Sequence, residues 1–181
     1  PYPTIEQAAA AVGHPDEVEI AVFPGPNAPI PDSADRVELI ALPNAEGPAS
    51  WQVIRDRDLP RLRLLQLGSA GYDHMLPVLP EGVSLANAGG VHDAGTAELA
   101  VALALANGRE LDRYARDQTA HIWQPGWGRS IADRQVLIFG YGRIGAAVER
   151  RLAGFEPANV TRIARTAKTD PAVYPVSELA T

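Results

Sequence analysis

The residues with the clearest chemical meaning are Gly140, Gly142 and Gly145, spaced G-x-G-x-x-G in Gly140-Tyr141-Gly142-Arg143-Ile144-Gly145. Glycines at this spacing let a strand turn tightly, admit a pyrophosphate against bare backbone, and let the following helix pack close to the strand. The free N–H groups and positive dipole end of that helix favour phosphate. The motif carries weight only in context. Here apolar Val136-Leu137-Ile138-Phe139 precedes it, helix-forming Ala146 to Leu152 follows, and a second strand candidate, Val160 to Ala164, comes next. This order predicts a dinucleotide site built on Gly140, Gly142, Arg143, Ile144 and Gly145.

Arg165 lies about 20 positions past Gly145, the separation at which an NAD site places an acidic residue on the ribose 2′-hydroxyl. Thr166 adjoins it and Lys168 follows. A carboxylate there would repel a 2′-phosphate, whereas a guanidinium pairs with it. The expected cofactor is therefore NADP in preference to NAD, the alternative being a solvated Arg165 and a site that still accepts NAD. Arg162, inside the strand, is expected to be structural or exposed. The four histidines, His14, His74, His92 and His121, show no metal-ligand spacing, so no metal site is expected and surface or packing roles are the default.

The elements that must position these residues fall into two patterns. The first ninety or so residues alternate short apolar runs with Pro- and Gly-rich turns. Strand candidates are Glu17 to Phe23, Val37 to Leu42, Leu64 to Leu67 and Val83 to Ala86, with helices expected near Ile5 to Val12 and Trp51 to Asp56. That β/α alternation suggests a small parallel-sheet domain. From Asp93 to Arg116 one long helix is expected, with Asp93 as its N-cap and Gly108 as its weak point. The boundary is placed just before it, giving domains 1–92 and 93–181. Past Gly145 only one more strand is legible, so the cofactor domain reads as incomplete and the chain as a fragment.

A net charge of −6 argues against a general nucleic-acid or anionic-membrane binder. The absence of cysteine removes disulfides, thiolate metal sites and a cysteine nucleophile, and fits a reducing cytoplasm. The longest apolar run, Leu99 to Ala106, falls far short of the ~20 residues of a membrane span. No signal-peptide pattern opens the sequence.

Three stretches in this order and spacing resemble the D-isomer-specific 2-hydroxyacid dehydrogenases, which include glyoxylate/hydroxypyruvate reductases. They are Leu67-Gly68-Ser69-Ala70-Gly71-Tyr72-Asp73, then Asn87-Ala88-Gly89-Gly90 leading to Ala97-Glu98, then the glycine motif itself. The resemblance implies an α/β protein with a flavodoxin-like substrate domain followed by an incomplete Rossmann domain. It implies an NAD(P)-dependent oxidoreductase interconverting a small 2-oxo acid and a D-2-hydroxy acid, active as a homodimer. Ser69, Ala70 and Gly71 would hold the substrate carboxylate through backbone N–H groups, which small residues after a strand allow to converge on an anion. Thr96 would lie near the nicotinamide, unless it is simply a first-turn helix residue. Trp123 and Trp127 are expected to pack at a hinge or subunit contact. The family's catalytic arginine, acidic residue and histidine have no counterpart in these 181 residues, so this chain alone is expected to be inactive. The alternative is a non-catalytic, nucleotide-sensing, corepressor-like protein on the same scaffold.

Overall fold

The computed structural model describes residues 18–21, 34–42 and 59–180. The chain divides into two compact units, Pro1–Ala88 and Gly89–Thr181, and each is described by itself. The helices expected near Ile5 to Val12 and Trp51 to Asp56 lie outside the described residues, as does His14. Of the strand expected over Glu17 to Phe23, only 18–21 are described, and they form no regular element. Among the described residues no helix is long and apolar enough to cross a membrane.

The first unit carries a parallel sheet of β1 (Leu39–Leu42), β2 (Leu64–Leu67) and β3 (Ser84–Ala86), in that spatial order. Leu39 pairs with Leu64, and Leu64 in turn with Ser84. In the central strand Leu65 and Leu67 are buried while Leu64 and Gln66 are half-buried, as side chains alternating between the two faces of a sheet must be. Leu42, Leu65, Leu67 and Met75 form the core, with Ile40, Val78, Leu79, Val83 and Leu85 packed around it.

The second unit begins with α1 (Asp93–Gly108) and α2 (Leu111–Thr119). The single helix expected from Asp93 to Arg116 is thus two. The break falls at Glu110, which takes a left-handed φ of 53°. Just before the break the Gly108 carbonyl accepts a hydrogen bond from the Arg129 N–H at 2.6 Å, and a Cβ on Gly108 would sit 2.9 Å from the Arg129 carbonyl oxygen. Only glycine lets that stretch of backbone approach. Asp93 is the first helical residue rather than the N-cap, which is His92 without a side-chain cap bond. The Asp93 carboxylate is instead engaged by Arg143.

Then come β4 (Gln135–Phe139), α3 (Arg143–Leu152), β5 (Asn159–Ala164), β6 (Lys168–Thr169) and β7 (Ala172–Pro175). Three strands therefore follow Gly145, not one. The sheet order is β4-β5-β7-β6, with β4, β5 and β7 parallel and β6 antiparallel to β7. Taken from β7 back to β4, the parallel strands give the 3-2-1 half of a doubly wound nucleotide-binding sheet. Val101, Ile138 and Leu152 form the core, flanked by Leu105, Ile131, Val136, Tyr141, Val148 and Val160. Ala97 of α1 and Gly145 and Ala147 of α3 are also buried. The protein is α/β with parallel sheets.

Candidate functional site

The turn between β4 and α3 is built by three glycines that stand there for different reasons. Gly140 has a φ of 98°, where a side chain would be strained. Gly145 is buried, and a Cβ there would lie 2.5 Å from the Gly140 carbonyl oxygen and 3.2 Å from the Ile138 Cγ2, so helix and strand meet at this point. Gly142 is the N-cap of α3 with φ −95° and ψ −152°, an extended geometry open to other residues. A Cβ on it would meet nothing within 4 Å among the described residues. Internal packing among those residues therefore does not require glycine at 142. The face it leaves bare lies at a helix end where no side chain caps the free N–H groups.

The turn is held from both sides. The N–H groups of Gly140 and Tyr141 both donate to the Ile163 carbonyl of β5, at 2.8 and 3.0 Å. The Tyr141 hydroxyl donates to the Glu149 carboxylate on α3 at 2.5 Å. Arg162 of β5 donates to the same carboxylate, with its Nε 2.8 Å from Oε2 and a terminal N–H on Oε1. Its guanidinium also lies 5.6 Å from the Tyr141 ring centre, within cation–π range. The hydrogen bonds from Arg162 hold the Glu149 carboxyl below the usual carboxylate range. Partial burial, then the bond to Glu149, raises the Tyr141 hydroxyl, and the bond to Glu149 raises the Arg162 guanidinium. Arg162 is structural. This network was not read from the sequence, because Tyr141, Glu149 and Arg162 converge only once β4, α3 and β5 pack.

Arg143, the first residue of α3, directs its Nε to the Asp93 carboxylate at 3.2 Å. Its guanidinium lies so close to Gly90 that a Cβ there would come within 2.5 Å of it. Ile144 is partly exposed beside it. Arg165 and Thr166 sit exposed just past the carboxyl end of β5, the end at which ligands bind in such sheets. The Arg165 guanidinium forms no ion pair among the described residues. Thr96 is exposed in the first turn of α1.

In the first unit, Ser69, Ala70 and Gly71 follow β2. All three carbonyls are used: Ser69 accepts from the Ala88 N–H at 2.9 Å, Ala70 from the Asn87 side chain at 2.8 Å, and Gly71 from the Ser69 hydroxyl at 2.9 Å. Their N–H groups have no backbone acceptor among the described residues. A loop with its carbonyls occupied and its backbone N–H groups without a backbone acceptor among the described residues suits an anion. A Cβ on Gly71 would meet nothing within 4 Å among the described residues. His74, His92 and His121 are exposed, and no group of metal-ligating side chains occurs among the described residues. Trp123 and Trp127 are almost wholly exposed. Their loop is pinned to α2, where the Tyr114 hydroxyl bonds both the carbonyl and the N–H of Gly126.

Residues 101–180 match the family model for the D-isomer specific 2-hydroxyacid dehydrogenase NAD binding domain. The glyoxylate reductase of Korarchaeum cryptofilum is 36% identical over 107 residues, covering 53% of this chain and 31% of that protein. A D-isomer specific 2-hydroxyacid dehydrogenase family protein from Aeromonas salmonicida shares the fold with a TM-score of 0.69 at 22% identity, covering 81% of this chain and 46% of that one. The NADPH-dependent glyoxylate/hydroxypyruvate reductase of Sinorhizobium meliloti, solved with NADP and sulfate, gives a TM-score of 0.54 at 27% identity, covering 64% and 37%. The chain spans about a third of the length of the curated relatives it matches. Over residues 101–180 the chain is thus similar to the NAD binding domain of the D-isomer specific 2-hydroxyacid dehydrogenase family.

Proposed function

We propose that Gly140–Gly145 holds the diphosphate of a nicotinamide dinucleotide, NADP in preference to NAD, for interconversion of a small 2-oxo acid and its D-2-hydroxy acid. The observation that carries this reading is Gly142, a glycine that internal packing does not require, at the uncapped N-terminus of α3. The N–H groups of Arg143, Ile144 and Gly145 would meet the phosphates, and the helix end would stabilise their charge. Arg165, exposed and without an ion-pair partner among the described residues, would pair with a 2′-phosphate, with Thr166 beside it. The Sinorhizobium meliloti relative was solved with NADP. Thr96 would face the nicotinamide side.

The reduced nicotinamide would supply the hydride, and the protein would orient the partners. The loop Ser69–Gly71, whose backbone N–H groups have no backbone acceptor among the described residues, would take the substrate carboxylate. Acid–base work at the carbonyl oxygen needs an oriented imidazole. The family's catalytic arginine, acidic residue and histidine have no counterpart among these 181 residues. The 181-residue chain is therefore proposed to bind without turnover. It is also proposed to self-associate through α1, whose Leu99 and Leu103 are both exposed and, at this spacing, share one helix face.

Nicotinamide fluorescence titration tests the cofactor arm. Saturable binding of NADPH, tighter than NADH, is expected, and no binding of either overturns it. Measurable NADPH-dependent reduction of glyoxylate by this chain would contradict the absence of turnover.

A further inference from the structure

Tyr141 stands between Gly140 and Gly142, in the part of the turn with the fewest steric constraints. Glycines lose more freedom on ordering than other residues, so a Gly-x-Gly turn does not hold one shape by itself. Here its strand side is tied to Ile163, and its helix side is tied through the Tyr141 hydroxyl to Glu149. Arg162 then engages both carboxylate oxygens of Glu149. Arginine in the middle of a parallel strand is an unusual choice. Replacing a buried ion pair by apolar residues is often neutral or stabilising, so this partly buried pair calls for a reason other than stability.

We propose that Tyr141, Glu149 and Arg162 form a positioning clamp that holds the Gly140–Gly145 turn in its diphosphate-accepting shape and so sets nucleotide affinity. The inference rests on the dinucleotide reading above and adds the device that prepares the site. One carboxylate joins the turn, the helix whose N-terminus faces the phosphates and the neighbouring strand. Ordering is completed on folding, so less remains to be lost on binding. All three act as positioning residues.

Tyr141→Phe in the 181-residue chain removes one oxygen and leaves the ring beside Arg162. Amide hydrogen exchange at 140–145 in the free variant should rise several-fold, with Ile138 and Ile163 unchanged. Affinity for NADPH should fall about tenfold, the loss of one hydrogen bond to a charged group. Affinity for adenosine 2′-monophosphate, which has no diphosphate, should not change. Adding Arg162→Lys to Tyr141→Phe should weaken NADPH binding less than the two single effects predict, since both act through Glu149. A purely structural role would lower the melting temperature and leave NADPH affinity of the folded protein as it was. Unchanged NADPH affinity in Tyr141→Phe overturns the clamp while leaving the dinucleotide site intact. Failure of the wild-type chain to bind NADPH or NADH overturns both.

Discussion

Gly142→Ala and Gly145→Ala add the same methyl group three residues apart and should fail in opposite ways. At Gly145 the new Cβ would lie 2.5 Å from the Gly140 carbonyl oxygen and 3.2 Å from Ile138 Cγ2. The nearer neighbour is backbone, which cannot swing aside, so α3 must move off β4. Overpacking of this kind costs about 1–3 kcal/mol, against which alanine regains up to ~1 kcal/mol of helix propensity. A net loss of ~1–2 kcal/mol lowers the melting temperature by about 2–8 °C in a chain of this size. At Gly142 the methyl meets nothing within 4 Å among the described residues, and exchanging a glycine N-cap for alanine costs at most ~1 kcal/mol. That variant should melt within about 4 °C of wild type. Its methyl would occupy the approach of the diphosphate, and NADPH affinity should fall roughly 10- to 100-fold, or ~1.4–2.7 kcal/mol. Calorimetric melting and NADPH titration of both variants decide the matter. A Gly142→Ala chain that binds NADPH within about twofold of wild type would exclude a diphosphate against Gly142, and a Gly145→Ala chain of unaltered melting temperature would exclude close helix–strand packing at that residue.

Three further perturbations have defined outcomes. Arg165→Glu should reverse cofactor preference, weakening NADPH by about 10-fold or more through lost pairing and like-charge repulsion with the 2′-phosphate, and sparing NADH in parallel titrations. Glu149 has its folded pKa lowered by Arg162, below the ordinary 4.5. Its stabilising contribution is therefore complete above that value and is lost as pH falls through the depressed one; urea midpoints measured from about pH 7 downward should show this loss in wild type and not in Glu149→Gln. Gly108→Ala would place a Cβ 2.9 Å from the Arg129 carbonyl oxygen. It should destabilise by ~1 kcal/mol or more in denaturant melts even though alanine favours helices.

Local signals were legible in the sequence and convergent ones were not. β2 occupies the residues its apolar run marks, Leu64–Leu67, and β4, α3 and β5 follow the expected order around the glycines. Those features depend on neighbours a few residues away. β7 was missed because Ala172–Pro175 is a short strand that follows Pro171 and ends on Pro175, a pattern that reads as a turn. The break at Glu110 was missed because the contact beside it, Arg129 meeting Gly108, joins residues well apart along the chain. Asp93 suits an N-cap by type, yet it pairs with Arg143, 50 positions away. The Tyr141–Glu149–Arg162 network arises in the same way, from three elements brought together by the sheet. The glycine spacing announced the tight turn between β4 and α3; the side chains that tie that turn down depended on tertiary packing.

We propose that the uncapped N-terminus of α3 and the carboxyl end of β5 together accept a nicotinamide dinucleotide. Amide chemical-shift mapping of the 181-residue chain during NADPH titration tests it most directly. The largest saturable shifts are expected at Gly140, Gly142, Arg143, Ile144 and Gly145, with a second group at Arg165 and Thr166 that shrinks when NADH replaces NADPH. Saturable shifts confined to other residues, or none at millimolar nucleotide, would contradict it.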